Sequence, residues 1–179
     1  LLLIVLIVIS SIPILVSLDK ISENIYPFVV WIIAISLLLQ ISLISMYLIP
    51  TDNVVEYWMV SLELKRGFWD ITSPGNINAM PGIMLPPAIT SIMLRINLIW
   101  VFKVMLPVMS SFIPVILYQG YRKQVNAKVA FLSSFFFASM YEFYTWAGIT
   151  MKMVSSGIFL ALLLLLITDE NMNRLSKTI

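Results

Sequence analysis

The sequence predicts an all-α fold, a polytopic bundle of about five transmembrane helices with one or two interfacial helices in an outer loop. Three observations predict it. Of 179 residues, 60% are hydrophobic and only 11% are charged, with a mean hydropathy of +0.99. Soluble domains carry about 25% charged residues. The apolar residues also come in runs long enough to cross a bilayer, and the charges gather in the short segments between them. The net charge of +2 is too small for a nucleic-acid partner. The chain has no Cys and no His, which excludes disulfides, thiolate chemistry and imidazole bases. Any metal would be held by oxygen.

The first apolar run is Leu1–Leu18, interrupted by Pro13 and about 27 Å long as a helix. A polar turn, Asp19–Asn24, leads to a second span, Tyr26–Ile49, with Trp31 and Tyr47 near its ends as an aromatic belt requires. A polar island follows, PTDNVVEYWMVSLELKRGFWDITSPGNINAMPG, residues 50–82. Ile83–Leu94 is apolar but short, and Pro81, Pro86 and Pro87 weaken it further as a crossing. The later spans are Leu98–Tyr118, then Val129–Tyr144 after the basic turn Gln119–Lys128, then Met153–Ile167 after the corner EFYTWAGITMK.

This divides the chain into two N-terminal transmembrane helices (1–49), an outer loop with amphipathic interfacial helices (50–97), and three transmembrane helices with a cytoplasmic tail (98–179). The chain reads as a piece of a longer protein, multi-pass in the cell membrane. Arg122, Lys123 and Lys128 place their loop in the cytoplasm, with Arg174 and Lys177 of the tail on the same side. Lys20 joins them if Ile83–Leu94 lies in the interface. The island and the corner at Glu142–Lys152 then both face outward.

The island holds four of the nine acids: Asp52, Glu56, Glu63 and Asp70. Carboxylates at a membrane boundary require water, a cation or a partner. Thr51 or Asp52 can cap a helix after Pro50, and Gly67 can end it, with Lys65 and Arg66 in the last turn. At helical spacing Asp52, Glu56 and Glu63 fall within about 40° of one another, with Arg66 in reach of Glu63. The rest of the helix is largely apolar. One expectation is an acidic stripe turned to a wet cavity. The other is purely structural, with Asp52 as cap, Glu56 as a first-turn acid and Glu63–Arg66 as an ion pair.

Glu142 stands among aromatics at the outward end of the fourth span. With Asp52 it could supply a base and a cation ligand, or it could simply end a helix. Lys152 either binds a ligand's phosphate or snorkels to lipid phosphate. Lys103 lies inside the third span on a face with Pro107, Ser110 and Pro114, a face that suggests protein contact, although snorkelling is the simpler expectation.

The segments TDNVVEYWMVSLELKRGFWD, NAMPGIMLPPAITSIMLRI and VILYQGYRKQVNAKVAFLSSFFFAS resemble membrane glycosyltransferases of the GT-C fold, such as the protein O-mannosyltransferase and lipid A aminoarabinose transferase relatives. With EYWMVSLELKRGFWD and LIWVFKVMLPV the chain is also similar to archaeal multi-pass membrane proteins of unassigned function that carry this core. The resemblance covers Pro50–Ile167. It implies an integral-membrane enzyme that transfers a sugar from a polyprenyl-phosphate donor on the outer side of the membrane. Asp52 matches the catalytic base, and Glu56 and Glu142 are supporting acids. Lys152 and Lys103 are the phosphate-binding candidates. Asp52 with Glu142 would hold a divalent cation, Mg or Mn. Asn53 stands where the family's usual second acid stands, and Leu1–Leu18 precedes its usual first helix. A transporter and a non-catalytic structural membrane subunit are the alternatives.

Overall fold

A computed structural model describes residues 2–49, 51–70, 72, 79–147 and 149–168. The described residues are helical, with no strand among them. The helices are α1 (Leu2–Ser17), α2 (Tyr26–Ser42), α3 (Asp52–Arg66), α4 (Pro81–Leu94), α5 (Leu98–Arg122), α6 (Ala127–Ser139), α7 (Tyr141–Trp146) and α8 (Met151–Ile167). Among the described residues two stretches are long and apolar enough to cross a membrane: Glu23–Ser42, which is α2 with the turn before it, and Leu98–Arg122. The expected tail residues Arg174 and Lys177, and Pro50, lie outside the described residues.

Three expected boundaries move. The second span stops at Ser42 rather than Ile49, because the chain beyond it turns to present carbonyls to Lys103. The third continues past Tyr118 to Arg122. The fourth ends at Ser139: Met140 is extended, and the chain restarts as α7. Two contacts hold that break. The Phe137 and Phe143 rings pack in a tilted pair with centroids 4.8 Å apart, and Ser110 donates its hydroxyl to the Ala147 carbonyl at 2.6 Å.

Helix α5 runs through the core and touches α2, α6 and α8. Near its start, Val101–Met105 is wound as a π-turn. Pro107 has no N–H, so the Lys103 carbonyl loses its normal helical donor. The Ser42 hydroxyl of α2 donates to that carbonyl instead, at 2.6 Å. Close approach continues along α5, where a Cβ on Gly157 of α8 would meet Ile113 Cδ1 at 2.7 Å.

Buried apolar residues form three groups. Tyr26, Val30, Ile33, Tyr118 and Phe131 join α2, α5 and α6. Leu38, Ile113, Leu117, Phe143 and Ala161 join α2 and α5 to α7 and α8. Val60, Met84, Phe102, Leu106, Met151 and Val154 fasten α3 and α4 to α5 and α8. Meanwhile α1 and α8 leave Ile4, Ile7, Ile14, Phe159, Leu163 and Ile167 exposed.

The bundle has two chemically distinct ends. At one, Asp19 of the first turn accepts a hydrogen bond from Lys128 of the basic turn at 2.6 Å. At the other, α3 of the island meets the corner before α8.

Candidate functional site

The site is built where the first turns of α3 meet the N-terminus of α8. Thr51 is the N-cap of α3: its hydroxyl accepts the Asn53 N–H at 3.4 Å. Asp52 is therefore the first helical residue and its carboxylate is free of capping duty. Gly67 ends the helix in the left-handed region, at φ 75°, and donates its N–H to the Glu63 carbonyl at 2.8 Å.

The acidic stripe exists, but most of it faces protein. Glu56 has no exposed surface and Glu63 is also buried, while Val54, Val55 and Trp58 on the opposite face are exposed. The expected wet cavity along the stripe is therefore corrected to a packing seam, because backbone N–H groups of neighbouring segments supply what water would have supplied.

Glu56 Oε2 accepts the Met151 N–H at 2.7 Å, and Oε1 accepts the Lys152 N–H at 3.4 Å. These are first-turn donors of α8, whose own N-cap Thr150 makes no side-chain cap. A carboxylate there is favoured by the unpaired N–H groups and the helix dipole. Burial nevertheless pushes the Glu56 carboxyl above its ordinary range. The Met151 and Lys152 N–H bonds and the Lys152 charge oppose that rise, and nearby Asp52 adds to it.

One turn earlier, Asp52 Oδ2 accepts from Lys152 Nζ at 2.8 Å. This pair is open to solvent, with side-chain exposures of 69% for Asp52 and 31% for Lys152. Glu63 Oε2 accepts the Asp70 N–H at 3.2 Å, and Asp70 in turn bonds Arg66 at 3.1 Å. Asp70, which has no place on the stripe by spacing, thus joins its end through the loop. The expected Glu63–Arg66 pair gives way to Arg66–Asp70.

Asp52, Glu56 and Lys152 come together, whereas the other expected residues stand elsewhere. Lys103 is 3% exposed, and its ammonium donates to the Ser42 and Ser45 carbonyls at 2.6 and 2.7 Å. It closes the C-terminus of α2, where the dipole favours a cation, and neither snorkels nor faces the Asp52 site. Glu142 is exposed at the start of α7. It lines a mostly apolar groove of about 410 Å³ with Phe143, Ala147, Met153 and Gly157, a groove that Asp52 does not line.

Among the described residues no three Asp, Glu, His or Cys side chains gather as metal ligands. Asp52 is bonded to an ammonium, and Glu142 lines another groove.

Spacing did not single out Ser42, or Asn53, which is 5% exposed with its Oδ1 unpartnered. No protein family, curated protein or solved structure matches the chain.

Proposed function

We propose that the chain is the membrane core of a GT-C-type glycosyltransferase, with α1, α2, α5, α6 and α8 crossing the cell membrane and α3 and α4 lying in its outer interface. The exposed apolar faces of α1, α3 and α8 support lipid around the bundle. Arg122, Lys123 and Lys128 at the opposite end support a cytoplasmic side there.

The observation that carries the reading is the solvent-open pair of Asp52 and Lys152, anchored on buried Glu56. A general base and a phosphate-binding cation are the two groups that sugar transfer from a polyprenyl phosphate requires. Asp52 takes the proton of an acceptor hydroxyl, and the oxygen attacks the anomeric carbon. The bond from that carbon to the phosphate oxygen breaks, and Lys152 holds the departing phosphate's negative charge. The configuration at carbon inverts.

A second reading has its own observation. Asp52, Glu56 and Glu63 all make bonds within the chain, which favours an architectural stripe in a structural membrane subunit. A transfer assay in membranes, with a radiolabelled polyprenyl-phosphate sugar, separates the two. Asp52→Asn should lower transfer by about 10²–10⁴ at unchanged protein level. Unchanged transfer removes the enzyme reading and leaves the architectural one.

A further inference from the structure

Two acids one turn apart on α3 hold the same residue of α8 in different ways. Glu56 holds the backbone of Lys152 and its neighbour Met151, in a place with no solvent exposure. Asp52 holds the Lys152 ammonium at 2.8 Å, in a place open to water. A buried charge-assisted hydrogen bond is much harder to break than an exposed ion pair, which water and salt weaken. The outer hold is therefore the weaker of the two.

We propose that the Asp52–Lys152 pair is a resting latch, opened when the phosphate of a prenyl-phosphate ligand takes the Lys152 ammonium, while Glu56 acts as the positioning residue that keeps Lys152 at the site. This rests on the transferase reading and deepens it. In the closed latch Asp52 Oδ2 is already bonded to a cation. Once phosphate claims the ammonium, that oxygen turns free to accept a proton from a hydroxyl. The donor must then bind before the acceptor reacts, so the base is released only in a loaded site. The placement of Glu56 follows the same logic. A lysine that changes partners needs a fixed main chain, and the Glu56 carboxylate supplies that anchor through the Met151 N–H at 2.7 Å, with the Lys152 N–H at a longer 3.4 Å.

The test is binding of farnesyl phosphate to the detergent-solubilised protein, with farnesol as the uncharged control. Removing the competing carboxylate in Asp52→Asn should tighten farnesyl phosphate roughly two- to fivefold, the factor that an exposed ion pair represents. Lys152→Gln should weaken it to the level of farnesol. Glu56→Gln, whose amide oxygen still accepts an N–H, should bind nearly as the wild type does, whereas Glu56→Ala should bind several-fold more weakly. Farnesol should not distinguish the variants. If farnesyl phosphate binds and Asp52→Asn leaves its Kd unchanged or raises it, the latch is overturned while the transferase reading stands on its own assay. If farnesyl phosphate binds no better than farnesol in any variant, the latch and the phosphate role of Lys152 fall together. A Glu56→Gln protein that keeps its thermal midpoint yet binds as weakly as Glu56→Ala overturns the positioning role.

Discussion

Glu56 and Lys103 are both ionisable, buried and hydrogen-bonded to main chain. Each lies at a helix end where the dipole has the complementary sign: Glu56 at the N-terminus of α8, Lys103 at the C-terminus of α2. For Glu56 the balance remains sensitive to pH. Its carboxyl titrates above the ordinary value of 4.5 because burial disfavours the anion. The folded state therefore binds the proton more tightly than the unfolded chain. That contribution to stability is complete below about pH 4.5 and is lost as pH rises through the folded-state value. Thermal melts of the solubilised protein should accordingly show a loss of stability above pH 4.5 that Glu56→Gln flattens. A wild type and variant with parallel pH profiles would contradict this account.

At the scale of elements, α3 is built with Glu56 and Glu63 inward, Asp52 open to solvent and much of its apolar side outward. Val54, Val55 and Trp58 are exposed while Glu56 and Glu63 are covered. Periodicity in the sequence displays the stripe, and Gly67 with Lys65 and Arg66 displays the helix end. Neither says which way the stripe points, because its partners are the main chain of α8 and of the loop at Asp70. The face of α5 that carries Lys103, Pro107, Ser110 and Pro114 was legible as a protein-facing surface, and all four residues are buried. The duty of Lys103 was not legible. It depends on the Ser42 and Ser45 carbonyls, some sixty residues earlier in the chain. Lys103→Met should lower stability by about 1.5–3 kcal/mol, the worth of hydrogen bonds to a charged group. A snorkelling lysine would lose almost nothing on the same substitution, so denaturation of the two proteins side by side decides between them.

The whole molecule separates its chemistry by end. The Asp19–Lys128 bond gathers the first turn and the basic turn at one end, and the Asp52–Lys152 bond gathers the island and the corner at the other. The proposed topology, in which Ile83–Leu94 of α4 does not cross, puts the first of these ends in the cytoplasm and the second outside. Since the chain has no Cys, single cysteines report it cleanly. Lys20→Cys and Gln124→Cys should react with a membrane-impermeant maleimide only from the cytoplasmic face. Lys65→Cys and Glu142→Cys should react only from the outer face. Reaction of Lys20→Cys and Gln124→Cys from opposite faces would make α4 a crossing and dismantle the proposed five-span arrangement.

The helical class, the apolar runs, the polar island and the start and end of α3 are all legible along the chain, because composition, spacing and caps act between near neighbours. What the charges do is set by packing between distant segments. The Glu56 bond to Met151 joins residues 95 positions apart, and the Asp52 bond to Lys152 joins residues 100 apart. No local spacing encodes such pairs. They form because packing of α3 and α4 on α5 and α8 sets Glu56 beside the unpaired first N–H groups of α8 and Asp52 beside the Lys152 ammonium.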